Sequence, residues 1–328
     1  RPALGAGPCA ASSAAGLWGG AVAVAGFLRL RPAAPLQRRR GAVCLRAASS
    51  AAGATAAPSA SEMAALAALA EEVAAKRGFE KSFFLAPELA YDRLRDPSNY
   101  DFASCYLRED GSRRGMSNWL LRDVVMIGRY PFCDPTPGGP TAEEGRAHLR
   151  RVLEAGVSTF VCMQDELPPP GGEPWPAEGV RHEAGSIRGA FLNYAEVARE
   201  EASALGLRPP KLLHFPVVDM DVPTWDQLMR IMDVLLRELR EGGSLYVHCW
   251  GGMGRAATVG ACLLAALRPH YGPEEVLIST QAAYDSREGG RGFQSPQTWQ
   301  QRAIVRNFVV LCRTAANKRA ASGPASAL

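Results

Sequence analysis

The sequence predicts an α/β fold with a central, mostly parallel sheet flanked by helices. Strand-like and helix-like segments alternate between residues 118 and 313. Residues 157–163 form a strongly apolar segment, which is typical of a central strand buried on both faces. A second apolar run, residues 245–247, leads through a glycine-rich turn into a helix of small residues at 256–264. This alternation indicates parallel strands in one sheet with helices on both faces.

In the first part of the chain, the predicted elements are helix 62–77, strand 124–127, helix 142–155, strand 157–163 and helix 193–205. The first helix is amphipathic, because its apolar residues recur at helical spacing: Met63, Leu66, Leu69 and Val73. Residues 165–190 include a Pro-Pro-Pro-Gly-Gly run and are predicted as one long loop. Loops of that length in a compact domain are usually functional or disordered.

In the second part, the predicted elements are strand 211–218, helix 225–241, strand 244–248, helix 255–267, helix 273–286 and helix 296–313. Helix 225–241 is strongly periodic, and either Thr224 or a preceding aspartate is suited to cap it. The sequence then divides the chain into four parts. These are a disordered organelle transit peptide at 1–60, an extension with one amphipathic helix at 61–117, a globular domain at 118–313 and a disordered tail at 314–328.

The formal net charge of +4 originates in the N-terminal segment. Residues 1–61 contain seven arginines and no Asp, Glu or Lys, so 30 basic and all 33 acidic residues remain in the rest of the chain. The charge therefore does not indicate a nucleic-acid-binding surface. An Ala-, Ser- and Arg-rich segment without acidic residues matches an organelle transit peptide. Its Ala and Ser content favours the chloroplast over the mitochondrion, and a cytoplasmic location is expected if the segment is not a transit peptide.

The eight cysteines are scattered and form no C-x-x-C pair. This spacing indicates reduced thiols rather than a disulfide framework, and neither a metal site nor a cofactor is expected. The apolar run at 17–30 is broken by glycine and is shorter than the roughly 20 residues that a membrane-spanning helix needs. No segment indicates an oligomeric state.

The stretch from His248 to Arg255 contains the residues that are most informative about function. Cys249 and Arg255 stand six positions apart, and three glycines lie between them. Glycines allow a backbone to turn its N–H groups inward, and a helix N-terminus adds a positive dipole end. An arginine fork can hold two phosphate oxygens at once. The stretch therefore predicts a phosphate-binding loop around a nucleophilic thiolate.

This loop resembles the active-site loop of the cysteine-dependent protein tyrosine phosphatase superfamily, in particular the dual-specificity type. The resemblance covers residues 118–313 and implies that fold, with Cys249 attacking phosphorus to form a cysteinyl-phosphate that water then hydrolyses. It also implies that Arg255 binds the substrate and stabilises the transition state, and that His248 supports the loop. The phosphate-binding residues would be Trp250, Gly251, Gly252, Met253 and Gly254.

An acid must protonate the leaving oxygen, and the segment at 212–223 contains two aspartates. It resembles the family pattern His-x-Pro-x-x-Asp, which places the general acid at Asp219, with Asp221 as the alternative. Later in the chain, Gln301, or else Gln297, resembles the glutamine that positions the hydrolytic water. The same segment is also typical of a surface helix that is capped by Ser295 and has Pro296 in its first turn.

One position departs from the family pattern. Most members carry Ser or Thr directly after the arginine, where the hydroxyl helps to expel the thiolate, whereas this chain has Ala256. We therefore expect a slower second step and accumulation of phosphoenzyme. The expected substrates are proteins phosphorylated on Ser, Thr or Tyr. The alternatives are phosphoglucan, since plastid starch phosphatases also carry Ala there, and, more remotely, a non-catalytic phosphate-binding scaffold.

Overall fold

The computed structural model describes residues 56–79, 92–172, 175–184 and 187–322. All of them belong to one compact unit, residues 52–328. The predicted transit peptide therefore lies outside the described residues, apart from positions 56–60. Positions 323–328 of the predicted tail lie outside them as well.

A five-stranded sheet forms the centre of the domain, in the order β3-β4-β9-β5-β8. Only the β3–β4 pair is antiparallel. The prediction of a central, mostly parallel sheet flanked by helices is therefore confirmed. The remaining strands form two antiparallel hairpins, β1–β2 and β6–β7. The strands are β1 (Cys105–Leu107), β2 (Arg113–Gly115), β3 (Ser117–Leu121), β4 (Val125–Gly128), β5 (Thr159–Gln164), β6 (Val180–Ala184), β7 (Ile187–Phe191), β8 (Lys211–Val217) and β9 (Leu245–His248).

Seven α-helices are described: α1 (Ala60–Lys76), α2 (Ala142–Glu154), α3 (Ala195–Ala204), α4 (Trp225–Arg240), α5 (Arg255–Leu267), α6 (Pro273–Asp285) and α7 (Trp299–Ser322). Capping boxes fix the starts of three of them, where a Ser or Thr side chain and a Glu or Gln three residues later satisfy each other's free N–H groups. Thr224 is the residue that caps α4. The other two pairs are Ser59 with Glu62 and Thr141 with Glu144.

Helix α5 lies at the centre of the apolar core, and every one of its residues is buried. Its small side chains permit this position, because a Cβ at Gly260 would stand 2.5 Å from Ile127 Cδ1 of the sheet. Helix α1 packs against α4, α5 and α7. It buries the apolar residues that the sequence predicted for its inner face: Met63, Leu66, Leu69 and Val73.

Three segments differ from the expectations. The segment 165–190, predicted as one long loop, ends in the β6–β7 hairpin, because residues 180–184 are followed directly by a strand with which they pair. The 105–115 segment of the extension is also a hairpin. Helix α7 begins at Trp299, so Ser295 does not cap it, and it continues to Ser322 where a disordered tail was expected. Its last turns are held against α1, where Arg319 pairs with Glu71 at 3.0 Å.

Candidate active site

Strand β9, the following loop and helix α5 place Cys249 at the base of an open cleft. The Cys249 side chain is buried, and its Sγ accepts a hydrogen bond from the Gly252 N–H at 3.3 Å. Gly252 has φ +69°, and a Cβ there would stand 2.3 Å from the Gly128 carbonyl. Only glycine combines this backbone conformation with such a close approach to β4. The loop therefore curls around the sulfur, as its glycines predicted.

The guanidinium of Arg255 is buried and is held by carboxylates. Its two terminal nitrogens donate to the two oxygens of Glu166, at 2.6 and 2.9 Å. One of them also donates to the Val217 carbonyl at 3.0 Å, and the other lies 2.9 Å from an Asp219 oxygen. The Nε is buried and has no hydrogen-bond partner among the described residues. Glu166 thus fixes the end of the fork, and the hydrogen-bonding capacity of the Nε–H is unused.

The charges of this pair stabilise each other. Burial opposes ionisation of Arg255, but the hydrogen bonds to Glu166 and the negative groups nearby raise its pKa above the ordinary value. Burial likewise acts to raise the pKa of Glu166, and the hydrogen bonds from Arg255 outweigh it and lower that pKa. Both groups are therefore charged at neutral pH. The site holds a fixed positive charge beside Cys249, which is what a phosphate dianion requires.

The acidic loop brings one of its two aspartates to the cleft. Asp219 lines the cleft and contacts Arg255. Asp221 does not line it, and its carboxylate accepts the N–H of the adjacent Val222 at 2.8 Å. Of the two candidate aspartates, the structure thus brings Asp219 to the cleft that Cys249 also lines.

The two glutamines have different surroundings. Gln301 is fully buried: its Oε1 accepts the Thr298 N–H at 3.1 Å, and its Nε2 donates to the Asp221 carbonyl at 3.1 Å. It thereby ties the start of α7 to the acidic loop. Gln297 lines the cleft instead. The amides of both glutamines lie next to Gly254 of the loop, within 3.1–3.3 Å of the position that a Cβ there would occupy. Of the two, only Gln297 lines the cleft.

His248 supports the loop from below. It is fully buried, its Nε2 lies 2.9 Å from the Tyr194 hydroxyl, and rings of Tyr130 and Tyr246 pack around it. Burial lowers its pKa to about 3. It is therefore a neutral, packed histidine that does not line the cleft, which agrees with a supporting part.

Arg287, which the sequence analysis did not select, holds the outside of the loop. Its guanidinium donates to the carbonyls of Gly251 and Gly252, each at 3.2 Å, and to the Ile127 carbonyl at 2.9 Å. A fourth hydrogen bond goes to Asn118 Oδ1 at 2.6 Å. Arg287 thus holds the loop through the Gly251 and Gly252 carbonyls, while the Gly252 N–H faces Cys249 Sγ. Burial lowers the pKa of Arg287.

Two residues of this site, Glu166 and Arg287, were not selected in the sequence analysis. Glu166 follows the last residue of β5 by two positions, at the carboxyl end of a central parallel strand, where ligand sites of α/β sheets form. The predicted strand at 157–163 was therefore a signal that could have drawn attention to Glu166. Arg287 follows α6 by two residues, and only the tertiary structure brings it to the loop.

The cleft has a volume of about 550 Å³, much larger than a phosphate group needs. Its lining includes four of the five expected loop residues, Trp250, Gly251, Met253 and Gly254, while Gly252 is buried beneath them. The indole of Trp250 donates to Thr136 Oγ1 at 3.0 Å and meets the ring of His182 edge to face at 4.6 Å. Trp250 is thus a fixed part of the wall.

In the described part of the chain, no helix is long and apolar enough to cross a membrane. The same residues contain no group of three or more His, Cys, Asp or Glu side chains that could hold a metal ion.

Comparison with known proteins gives matches over the region that contains this site. Residues 141–301 match the family model of the Swiss Army Knife protein DSP-PTPase phosphatase domain, PTP-SAK. Cyclin-dependent kinase inhibitor 3 of Rattus norvegicus is 34% identical over 95 residues, which are 29% of this chain and 42% of that protein. The Homo sapiens protein of the same name is 33% identical over 95 residues, which are again 29% of this chain and 42% of that protein. The chain thus spans about two fifths of the length of these curated relatives.

Solved structures are also similar to this chain. The crystal structure of PTPMT1 is 19% identical, covers 63% of this chain and 99% of that one, and has a TM-score of 0.38. A kinase-associated phosphatase whose catalytic cysteine is replaced by serine is 16% identical, covers 65% and 98% of the two chains, and has a TM-score of 0.39.

Proposed function

We propose that this chain hydrolyses phosphate monoesters. The proposal starts from the match of residues 141–301 to the model of a phosphatase domain of the dual-specificity cysteine type. One observation carries the proposal: Cys249, Arg255 and Asp219 line the same cleft, with the guanidinium fixed by Glu166. A thiolate nucleophile, a phosphate-binding cation and a proton donor are the three groups that the reaction needs.

The first step transfers the phosphoryl group to the enzyme. Cys249 Sγ forms a bond to phosphorus while the bond to the ester oxygen breaks, and Asp219 donates a proton to that oxygen. The N–H groups of the loop and the Nε–H of Arg255 hold the three remaining phosphate oxygens, whose charge is spread in the transition state. Arg287 keeps the loop in the conformation that presents those N–H groups.

The second step releases phosphate. Water attacks the phosphorus of the cysteinyl-phosphate, the S–P bond breaks, and the Asp219 carboxylate accepts the proton of the water. Gln297, which lines the cleft, is placed to orient that water. Within the described residues, no side-chain hydroxyl donates to Cys249 Sγ, and Thr258 Oγ1 donates instead to the Gly254 carbonyl at 2.9 Å. This arrangement supports the slower second step expected from Ala256.

Proteins phosphorylated on Ser, Thr or Tyr are the proposed substrates. Trp250, the tryptophan of the loop that could stack on a sugar, is held in the wall by Thr136 and His182, which disfavours a glucan. Phosphoglucan remains the second candidate because of one observation. Trp299, two residues beyond Gln297 of the cleft, is 69% exposed and offers a face on which a sugar ring could stack.

A side-by-side assay tests these proposals. Peptides containing phosphoserine, phosphothreonine or phosphotyrosine, a phosphoglucan and an aryl phosphate are incubated with the wild type and with Cys249→Ser. We expect release of phosphate from the peptides and the aryl phosphate by the wild type only. Release from phosphoglucan with little release from the peptides would change the substrate class. Binding of phosphopeptide without release by the wild type would support the scaffold alternative.

We further propose that residues 1–60 direct the protein to the chloroplast, on the composition of that segment alone. A fusion of residues 1–60 to a fluorescent protein is expected to enter isolated chloroplasts and to be shortened there. Import into mitochondria, or no import, would replace this proposal with one of its alternatives.

A further inference from the structure

The β1–β2 hairpin forms one wall of the catalytic cleft. Four of its residues line the cleft: Tyr106, Arg108, Arg114 and Gly115. The hairpin precedes residues 141–301, the part of the chain that matches the phosphatase family model. The cleft of this protein is therefore partly built by an element outside the matched domain.

Close contacts fix the hairpin in this position. The Gly115 N–H donates to the Glu288 carbonyl at 2.8 Å, and a Cβ at Gly115 would stand 2.8 Å from Arg287 Cβ. On the other strand, the Tyr106 ring packs under the Arg129 guanidinium at 4.7 Å, and its hydroxyl accepts a hydrogen bond from that group. Because Arg287 itself holds the phosphate loop, the hairpin has a defined position relative to the loop.

Two arginines of the hairpin bring positive charge to the mouth of the cleft. Arg114 forms no ion pair with any described residue. It donates to the Gly289 carbonyl and packs over the Phe293 ring at 4.9 Å. Among the residues that the structure describes, Arg108 pairs with Asp110 alone, at 3.3 Å, and the two side chains are 39% and 58% exposed. Such an exposed pair is weak and exchanges readily with another anion.

The other charged groups of the cleft are already engaged. Three further arginines line it, and each is held by buried hydrogen bonds: Arg129, Arg255 and Arg287. Two acidic residues, Asp219 and Glu288, also line the cleft. Asp219 pairs with buried Arg255 at 2.9 Å, and Glu288 pairs with Arg113 of the hairpin at 3.4 Å through side chains that are 53% and 58% exposed. A substrate that enters the cleft thus meets Arg108 and Arg114 with spare hydrogen-bond donors at the hairpin.

We propose that Arg108 and Arg114 form a second anion-binding subsite, which selects peptides that carry an acidic side chain beside the phosphorylated residue. Guanidinium forks match carboxylates in geometry and charge. A glucan chain offers no carboxylate, so the subsite fits a peptide. This inference rests on the proposed function, because it assigns the substrate class of the same cleft.

Binding to Cys249→Ser tests the subsite without turnover. Three phosphopeptides of equal length are compared, with two glutamates, two glutamines or two lysines on each side of the phosphorylated residue. We expect the glutamate peptide to bind roughly five- to tenfold tighter than the glutamine peptide, and the lysine peptide to bind more weakly than both. This preference should decrease at high salt, because exposed ion pairs are screened.

Substitutions locate the preference on the hairpin. In the Cys249→Ser background, Arg108→Gln and Arg114→Gln should each reduce the glutamate-to-glutamine ratio roughly two- to fivefold, and the double variant should abolish the preference. Arg237→Gln is the matched control, since Arg237 pairs with Asp233 on the exposed face of α4 and does not line the cleft. It removes the same charge and should leave the ratio unchanged.

Equal binding of the three peptides, or a preference that survives the double variant, would overturn the subsite. If an arginine variant fails to fold, the test rests on the three peptides and Cys249→Ser alone: a preference for the glutamate peptide that does not decrease at high salt would also overturn the subsite. Failure of the proposed function has a different signature, which is the absence of aryl phosphate hydrolysis by the protein with Cys249 intact.

Discussion

Glu166 binds both terminal nitrogens of Arg255, at 2.6 and 2.9 Å, and so fixes the orientation of the guanidinium beside Cys249. Neither residue can be exchanged without leaving the other as a buried charge with fewer partners. The pair joins the carboxyl end of β5 to the first residue of α5. The position of the Arg255 guanidinium is therefore set by the segment after β5 as well as by its own loop.

Glu166→Gln should reduce kcat/KM for an aryl phosphate by about ten- to hundredfold, because a displaced guanidinium no longer meets the phosphate oxygens. The free energy of unfolding should decrease by about 1–3 kcal/mol, since one charged hydrogen bond to buried Arg255 is lost. Steady-state kinetics and urea unfolding measure the two effects. Asp165→Asn, at the exposed neighbouring position, is the control. Equal kinetics for both variants would remove Glu166 from the site.

Asp219→Asn should slow hydrolysis of an alkyl phosphate by about a hundredfold or more, and of an aryl phosphate with a good leaving group far less. The reason is that only a poor leaving group needs the proton. Asp221→Asn is the matched control, since its carboxylate accepts a hydrogen bond within its own loop. Initial rates on a series of leaving groups give the comparison. A larger loss for Asp221→Asn would transfer the acid to that residue.

Ala256→Ser should accelerate the second step. Ala256 is fully buried directly after Arg255, where a hydroxyl could donate to the departing sulfur. Rapid-quench kinetics on an aryl phosphate should show a burst of released alcohol in the wild type and a smaller burst with faster turnover in the variant. Ala257→Ser adds the same atom one position later, at another buried residue. A burst of equal size in all three proteins would contradict the expected effect of Ala256.

Two buried histidines predict an acid-sensitive fold. Burial lowers the pKa of His148 and of His248 from 6.5 to about 3. Below pH 6.5 these two histidines therefore bind protons in the unfolded chain, whereas in the folded chain they remain neutral down to about pH 3. Stability is full above pH 6.5 and decreases as the pH falls through this window, by about 1.4 kcal/mol per pH unit for each histidine.

His148→Gln isolates one of these contributions. In urea unfolding between pH 6.5 and pH 4, its slope of stability against pH should be smaller than that of the wild type by about 1.4 kcal/mol per pH unit. The stability at pH 7.5 reports separately on the lost hydrogen bonds to Ser104 and Tyr246. Parallel slopes for the two proteins would mean that His148 titrates normally in the folded state.

Local sequence patterns were sufficient to predict most of the domain. The apolar run of β5 and the glycine loop after β9 each follow from residues that are adjacent in the chain. Cys249 and Arg255 could be selected for the same reason, because they stand six positions apart in one loop. The alternation of strands and helices was enough to place that loop at the carboxyl edge of the sheet, whereas the strand order came only from the structure.

Contacts between distant segments could not be predicted in the same way. Arg287 reaches the loop from beyond α6, and the hairpin wall of the cleft comes from a segment with no clear period. The last turns of α7 pack against α1, where Arg319 pairs with Glu71, and this contact joins segments far apart in the chain. The surroundings of Gln297 and Gln301 likewise depend on the start of α7, where Gln301 accepts the Thr298 N–H.

Detection of the covalent intermediate tests the central claim most directly. The protein is mixed with radiolabelled aryl phosphate, quenched in acid within the burst phase, and digested, and the labelled peptide is sequenced. The account predicts phosphate on the Cys249 sulfur in the wild type, and no labelled peptide with Cys249→Ser. Hydrolysis that continues in Cys249→Ser, or label on any other residue, would contradict it.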